Sequence, residues 1–392
     1  MKEQVRHVDI LDHARGIAVL SVFVFHCFGT TFGGDNLPWD GWVRSFALHK
    51  YLVTPSFMTL LPAIWGWAGV SIFFVVSGFC IHMSFQQQGQ QWGNFFIRRF
   101  FRIYPPYLAS ILFCELLKNK AMLYGTNGSA QWLTHLLLIH NYGSNTFMGI
   151  NPVFWSIAIE VQLYLIYPLL IAFAIRLGWR RAVVITAIFE LSTRSFQGLA
   201  AVTGCGATSL GHFFGILSSS PLGYWFSWSI GAFIADAVLH GKPMPMAKVS
   251  PVMWLILAIE TSLIKPLAPL SFILFSLATA AAISRTLNGN VSKISLPKAF
   301  LTALRQTGIW SYSIYLLHFP LLRIFMCCVT AIRDDIYNYP IAFFLICLLT
   351  GVPIVLFSAF WYKLFELPGI AWGKSLIRTR LAIQTYTGRQ PA

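Results

Sequence analysis

Two ionisable side chains with the potential for chemistry stand in the first apolar segment, HARGIAVLSVFVFH. Arg15 and His26 are eleven residues apart, close to three helical turns, so on a helix both lie on one face, about 16 Å apart along the axis. Ionisable groups inside a membrane are costly and usually mark a pathway or a reactive site. The alternatives are a snorkelling arginine and a core histidine bonded to a neighbouring helix. With Arg15 at the inner boundary and His26 near the midplane, the pair predicts the wall of a polar channel.

Three arginines and no lysine cluster in a later segment, NFFIRRFFRIYPPY. Arg98 and Arg102 are four residues apart and share a helix face, with Arg99 beside them. Such a cluster is either a determinant of membrane topology or a fork of guanidinium groups that holds a phosphorylated ligand bidentately. Because arginine suits bidentate phosphate binding better than lysine, the cluster favours a ligand.

The segment NPVFWSIAIEVQLYLIYP carries Glu160, the acidic residue that we place deepest in the first four spans. Tyr164 follows at i+4 on the same helix face, and Trp155 precedes it. A lone buried carboxylate either ionises against a cation or stays protonated. It is therefore either a structural partner of an arginine or histidine, or a site carboxylate that orients a histidine. We expect His26 to be that partner if the first and fourth spans touch.

Other polar and small side chains in apolar segments predict a narrow tunnel. Ser77 and Gly78, in GVSIFFVVSGFCIHMSF, either let helices pack closely or line a passage for a slender ligand. His318, in SYSIYLLHFPLLR, is either structural or part of the same wall. The residues predicted to line the tunnel are Ser77, Trp155, Tyr164 and His318. No metal site is expected, because the seven cysteines form no CxxC pair.

The composition places these residues in a membrane. Of 392 residues, 56% are hydrophobic and 10% are charged, whereas a soluble domain has about 25% charged residues. These values exclude a soluble enzyme, a disordered chain and a disulfide scaffold. The net charge of +15 does not indicate nucleic acid, because the cations lie in short clusters between apolar segments, as in cytoplasmic loops.

The predicted fold is all-α, a polytopic transmembrane helix bundle of about ten spans, since a span needs roughly 20 apolar residues. The spans are placed at 14–33, 60–84, 103–118, 153–175, 182–202, 222–239, 252–264, 268–284, 308–329 and 340–365. The segment 130–141 is too short to cross and predicts an interfacial or re-entrant helix. The positive-inside rule places most Lys and Arg residues on one side when both termini are cytoplasmic.

We expect one integral-membrane domain over residues 1–392, with a helical core at about 8–368 and a cytoplasmic tail at 369–392. No fused extracytoplasmic domain is expected, because the predicted outer loops are far below domain length.

Five blocks of this sequence, in order, resemble the membrane acyltransferase type 3 family. They are LDHARGIAVLSVFVFH, FFVVSGF, RRFFRIYPPY, WSIAIEVQLYLIYP and SYSIYLLHFP. Arg15 and His26 fit the family's spacing of an arginine and a histidine on the first helix. The usual opening is closer to LDGLRG, so Asp12, His13 and Ala14 depart from the pattern without touching the two polar positions.

The resemblance implies O-acylation, usually O-acetylation, of an extracytoplasmic carbohydrate such as a cell-surface or lipid-linked polysaccharide, including lipopolysaccharide or exopolysaccharide. It implies cytoplasmic acyl-CoA, usually acetyl-CoA, as the donor substrate, with no permanently bound cofactor, and a bacterial cytoplasmic (inner) membrane. Some relatives carry a fused periplasmic domain, so transfer here either finishes within the membrane domain or needs a separate extracytoplasmic partner. Some relatives acylate antibiotics or transfer succinyl groups, which leaves acceptor and acyl group open.

The resemblance and the residue chemistry suggest one mechanism. Arg15, Arg98, Arg99 and Arg102 would bind the phosphates of acyl-CoA. His26 would act as general base on the acceptor hydroxyl, with Glu160 fixing its tautomer; an acyl-histidine relay is the variant. The competing class is a proton-coupled transporter or flippase of a lipid-linked glycan, which predicts hydropathy symmetry between two halves of the chain. A passive membrane scaffold is the third alternative, and it leaves buried Arg, His and Glu unexplained.

Overall fold

The structure is a computed structural model that describes residues 2–33, 54–121, 128–289 and 296–387, and these residues form helices and no strand. The predicted all-α fold is therefore confirmed. The helices are α1 (Lys2–Phe32), α2 (Pro55–Leu60), α3 (Gly69–Gln87), α4 (Trp92–Ala121), α5 (Ser129–Leu136), α6 (Trp155–Leu177), α7 (Trp179–Thr203), α8 (Ser209–Ser218), α9 (Trp225–Leu239), α10 (Pro251–Ser262), α11 (Ser271–Leu287), α12 (Lys298–Ile309), α13 (Ser311–Ile332), α14 (Pro340–Leu349), α15 (Gly351–Trp361) and α16 (Leu367–Thr387).

Within the described ranges, eight helical segments are long and apolar enough to cross a membrane. They are Asp9–Phe32, Pro55–Gln87, Trp92–Leu117, Trp155–Leu177, Pro221–Leu239, Ala268–Leu287, Ser311–Ile332 and Pro340–Ile383. Each of these overlaps a predicted span. The count of ten spans and the cytoplasmic position of both termini stay predictions.

The two remaining predicted spans are helical but do not belong to this set. Helix α10 has 12 residues, and at 1.5 Å per residue it is about 18 Å long, shorter than the hydrocarbon core of a bilayer. Helix α7 has 25 residues, but Glu190 and Arg194 in its middle lower its hydropathy. Arg194 Nε lies 3.0 Å from Glu190 Oε1, which also accepts from the Ser227 hydroxyl at 2.7 Å. The two charges in the middle of α7 are thus paired within the protein.

Glycines allow the central helices to approach closely. A Cβ atom on Gly78 of α3 would clash with the backbone carbonyl of Trp228 in α9, and one on Gly231 of α9 would clash with that of Val75 in α3. Another reciprocal pair of glycines joins α1 and α12. Small residues permit such contacts between membrane helices. The packing interpretation of Gly78 is confirmed, and these contacts fix the position of α3 at the centre of the bundle.

We expect Gly78→Ala to destabilise the protein, because the added methyl group meets a backbone carbonyl that cannot move away alone. Overpacking of this kind costs about 1–3 kcal/mol. The measurement is the thermal unfolding midpoint of the purified protein in detergent. The matched control is Gly215→Ala in α8, where a Cβ atom meets nothing within 4 Å. Equal midpoints for the two variants would show that the α3–α9 contact is not tight.

A short helical segment lies between α4 and α6 in the chain. It consists of α5 and a 3₁₀ turn at His140–Tyr142, in agreement with the predicted short helix at 130–141. The rings of His135 and His140 stack at 3.9 Å between centroids with a 7° interplanar angle. Burial, together with the neighbouring His135, lowers the pKa of His140 to about 3. His140 is therefore neutral in the folded protein at neutral pH.

This buried histidine makes stability depend on pH. The pKa of His140 in the folded protein lies below the ordinary value of 6.5. As pH falls, His140 therefore binds a proton in the unfolded chain before it does so in the folded protein. The stabilising contribution is complete above about pH 6.5 and is lost as pH falls towards 3, by up to about 1.4 kcal/mol per pH unit. We expect the loss in unfolding midpoint between pH 7.5 and pH 5 to be smaller in His140→Leu. The exposed His212 provides the control, as His212→Leu. An identical loss in wild type and His140→Leu would contradict this assignment.

The chain is almost continuously helical from Pro340 to Ile383, with a π-helical turn at Tyr362–Glu366. Helix α16 packs against α4, where Gly369 and Gly373 approach Phe101. The helical part therefore continues beyond residue 368, where the sequence indicated only a tail. The cytoplasmic location of this helix stays a prediction.

Candidate active site

A narrow cavity, which we call the arginine cavity, runs along α3 and is completed by α1, α4, α6 and α13. Its volume is about 210 Å³. Its wall on α3 extends from Val70 to Ser84, which is about 21 Å along the helix axis. The predicted site residues in its wall are Arg15, Ser77, Arg99, Arg102, Glu160 and Tyr164. The structure thus brings together six side chains from four different helices.

Arg15 is held in place at the Ser84 end of the cavity. Its guanidinium donates to Asp12 Oδ1 at 3.1 Å and to Cys80 Sγ at 3.1 Å. Asp12 is buried and also lies 4.0 Å from Arg305 Nε. Because a guanidinium has five N–H donors, Arg15 keeps donors for a ligand after these contacts.

The arginine cluster of α4 carries donors that have no partner. Arg99 donates to Ser84 Oγ at 3.2 Å, but its Nε is buried without a hydrogen-bond partner among the described residues. Nε and one terminal nitrogen of Arg98 are likewise buried and unpartnered there. Unsatisfied buried donors are costly, and on guanidinium groups they suit an anionic ligand. Arg99 and Arg102 line the cavity, whereas Arg98 does not.

The expected contact between Glu160 and His26 is wrong. The Glu160 carboxylate accepts from the Tyr164 hydroxyl at 2.5 Å and from the Ser77 hydroxyl at 2.7 Å. Helix α3 contacts α6 through Ser77 and approaches α1 closely through Gly69, so the first and fourth spans are joined through α3. Glu160 is therefore a polar group in the middle of the arginine cavity.

His26 packs against a second histidine instead. Helix α1 is continuous, so Arg15 and His26 share a face as predicted. The ring centroid of His26 lies 5.1 Å from that of His318 and 5.1 Å from that of Phe319. His318 in turn lies 5.6 Å from the ring of Tyr315, which lines the arginine cavity. The two histidines thus stand just beyond the end of the cavity opposite Arg15.

The backbone sets the tautomer of His318. Its Nδ1 faces the carbonyl oxygens of Ile314 at 3.1 Å and Tyr315 at 2.8 Å. Because a carbonyl oxygen only accepts, Nδ1 carries the proton and Nε2 keeps a lone pair. Nε2 is buried and has no partner in the described part of the chain. His318 therefore presents a basic nitrogen in the layer that holds His26.

Trp155 does not line the arginine cavity, although it was predicted in the tunnel. It faces a second cavity of about 980 Å³, which we call the aromatic cavity. Its ring stacks on Phe147, with centroids 5.7 Å apart and an interplanar angle of 16°. Val70 lines both cavities, so they adjoin at the start of α3.

The sequence did not indicate several polar residues of the site. Asp12 and Cys80 fix Arg15, and Tyr315 accepts or donates a hydrogen bond with Ser156 at 2.8 Å in the cavity wall. Tyr315 stands three residues before His318, and this helical spacing was the available signal. Asp12 had a comparable signal, because it precedes Arg15 by three residues.

Comparison with known proteins agrees with this geometry. The family profile described as "Acyltransferase domain" (Acyl_transf_3) matches residues 8–360, nearly the whole chain. The protein therefore belongs to the type 3 acyltransferase family and is integral to a membrane.

Three relatives are similar to this chain. The chain is 25% identical to acyltransferase MdmB of Streptomyces mycarofaciens, over 82% of this chain and 81% of that protein. It is 25% identical to peptidoglycan O-acetyltransferase OatA of Listeria monocytogenes, over 81% of this chain and 50% of OatA. An uncharacterized protein of Haemophilus influenzae is 30% identical over 27% of this chain and 49% of that protein. The chain thus spans about half the length of two of these relatives. No solved structure matches it.

Proposed function

We propose that this protein transfers an acetyl group from cytoplasmic acetyl-CoA to a hydroxyl of an extracytoplasmic carbohydrate, in the cytoplasmic membrane of a bacterium. The observation that carries the proposal is the arginine cavity. It is a narrow polar passage with arginines at one end and the His26–His318 pair beyond the other. A slender, anionic donor that must deliver its reactive end deep into the membrane fits such a passage.

The arginine end suits the phosphates of coenzyme A. Arg15, Arg99 and Arg102 line it, and the unpartnered donor of Arg99 supplies a place for a phosphate oxygen. Arg98 is outside the lining and would contribute through its own unpartnered donors. The thin pantetheine arm would follow α3 past Ser77 and Tyr164, and the thioester would reach the Tyr315 end of the cavity.

The reaction there joins the acceptor oxygen to the acyl carbon and breaks the bond between that carbon and the sulfur of CoA. His26 takes the proton of the acceptor hydroxyl as the oxygen attacks, and returns it to the departing CoA thiolate. An acyl-histidine relay would use the same residue as nucleophile. In both cases a neutral imidazole must face the thioester.

We assign the orientation of His26 to His318 instead of Glu160. His318 packs on His26, and its Nε2 is a hydrogen-bond acceptor without a partner among the described residues. A hydrogen bond from one nitrogen of His26 to this Nε2 would fix the tautomer of His26 and leave its other nitrogen as the base. Glu160 stays a lining residue that positions Ser77 and Tyr164 along the passage.

One relative supports the acetyl group and the carbohydrate acceptor. OatA is named as a peptidoglycan O-acetyltransferase, and the backbone of peptidoglycan is a carbohydrate polymer. The match to OatA covers half of that protein.

Acetyl-CoA binding to the purified protein tests the proposal against a proton-coupled transporter or flippase. In isothermal titration calorimetry we expect saturable binding of acetyl-CoA and weaker binding of dephospho-CoA, which lacks one phosphate. A transporter of lipid-linked glycans needs no acyl-CoA. Absence of binding for acetyl-CoA, succinyl-CoA and propionyl-CoA would therefore favour the transporter.

A further inference from the structure

The aromatic cavity is large and is built from two pairs of stacked rings. Phe147 and Trp155 form one pair, and Trp67 and Phe272 form the other, with centroids 6.1 Å apart and an interplanar angle of 20°. All four side chains line the cavity. Its volume of about 980 Å³ lies at the upper end of the range of small-molecule sites. Flat rings supply large apolar areas with fixed geometry, which suits a ligand that has flat apolar faces.

Polar groups surround these rings. The amide of Gln197 and the exposed Ser144 lie in the lining, and Gln197 makes no hydrogen bond with another described residue. Free amides and hydroxyls next to apolar faces are the partners that ring hydroxyls of a sugar require, since each buried hydroxyl must be hydrogen-bonded.

The charges in the lining select against cations. Arg194 and Lys265 line the cavity, and no carboxylate does so within the described lining. Arg194 is occupied by Glu190 and by the Gly223 carbonyl at 2.9 Å, whereas Lys265 forms no ion pair in the described part of the chain. The cavity therefore suits a neutral or acidic ligand.

The position of the aromatic cavity connects it to the proposed reaction path. It adjoins the arginine cavity at Val70, and Trp155 directly precedes Ser156, which lines the arginine cavity. It lies at the end of α3 opposite Ser84 and Arg99. A ligand here thus approaches from the face of the bundle opposite the donor.

We infer that the aromatic cavity is the acceptor site and that it binds at least two sugar rings of a neutral or acidic glycan on the two ring pairs. This inference rests on the proposed function, because it places the carbohydrate that receives the acyl group. The Phe147–Trp155 pair, next to Ser156, holds the ring whose hydroxyl is acylated, and the Trp67–Phe272 pair holds a neighbouring ring.

Calorimetry with defined sugars tests the inference without acyl-CoA. The probes are chitotetraose, which is neutral, its fully de-N-acetylated and cationic form, N-acetylglucosamine and glycerol. We expect chitotetraose to bind wild type at least about 10-fold more tightly than the cationic form or the monosaccharide. Trp155→Ala should weaken chitotetraose binding at least about 10-fold, and Trp155→Phe should keep most of the affinity because a flat face remains.

The matched control is Trp372→Ala, because Trp372 is 60% exposed on α16 and lies outside the aromatic cavity. Phe147→Ala provides a second test from a partly exposed loop position, in case Trp155→Ala does not fold. Binding of chitotetraose no tighter than glycerol would overturn the inference. Equal affinity in wild type, Trp155→Ala and Phe147→Ala would overturn it as well, because the sugar would then bind outside the aromatic cavity.

Acetyl-CoA is titrated into the same samples. Failure of the acceptor-site inference can then be distinguished from failure of the proposed acyl transfer. Acetyl-CoA binding without sugar binding would overturn the acceptor site alone. Sugar binding without acetyl-CoA binding would overturn the acyltransfer mechanism alone, and would leave a glycan site in a transporter.

Discussion

His26→Ala is expected to abolish acyl transfer while the protein still inserts and folds. His26 is the residue proposed to take the proton of the acceptor hydroxyl, and a positioned general base contributes about 10²–10⁴-fold to a rate. Its ring packs on His318 and Phe319 at the end of the arginine cavity, far from the arginines that would hold CoA. We therefore expect a rate loss of at least about 100-fold with unchanged acetyl-CoA affinity. The measurement is the transfer of labelled acetyl groups from acetyl-CoA to alkali-labile esters in membranes that contain the protein.

The control for this substitution is His240→Ala, since the His240 side chain is exposed and lies outside both cavities. It should transfer acetyl groups to the same endogenous acceptors within about 2-fold of wild type. Full acetylation by His26→Ala would end the catalytic assignment of His26. Loss of transfer together with loss of acetyl-CoA binding would instead assign His26 a structural role.

Replacement of Arg98, Arg99 and Arg102 together by alanine is expected to abolish measurable acetyl-CoA binding. Charge-assisted hydrogen bonds contribute about 1.5–3 kcal/mol each, so the loss of two of them weakens binding by about 100-fold or more. Arg99→Ala alone should have a larger effect than Arg98→Ala, because Arg99 lines the cavity and Arg98 does not. Equilibrium binding of radiolabelled acetyl-CoA to purified variants measures both effects.

A triple variant of Arg176, Arg180 and Arg181 removes the same charge from the same end of the bundle. These three side chains are exposed and lie outside the arginine cavity. If the effect is specific, this control binds acetyl-CoA like wild type. Equal losses in both triple variants would mean that the arginines attract CoA only through long-range charge, or that they act as topology determinants.

The sequence predicted the helices well because their apolar length is a local property. The eight segments that can cross a membrane each overlap a predicted span, and the continuous α1 places Arg15 and His26 on one face. The short α10 and the charged α7 were harder to predict, since partners elsewhere decide how such segments are accommodated. Glu190 and Arg194 pair with each other within α7, and Ser227 from α9 completes the pair.

Contacts between helices could not be predicted in this way. Spacing within one helix does not say which helices touch, so Glu160 was assigned to His26 although it bonds Ser77 and Tyr164. The same applies to Trp155. It directly precedes Ser156, which lines the arginine cavity, but its own side chain lines the aromatic cavity. For His318, the sequence predicted a position in the tunnel wall, and the packing places it beside His26.

In the proposed reaction, donor and acceptor reach the protein from opposite faces of the membrane. The most direct test gives radiolabelled acetyl-CoA, which does not cross membranes, to sealed vesicles of both orientations from bacteria that express the protein. Because the arginine cavity is expected to open to the cytoplasm, we predict labelled, alkali-labile esters only in inside-out vesicles, which expose the cytoplasmic face. Esters that form only in right-side-out vesicles, or equally in both, would contradict it.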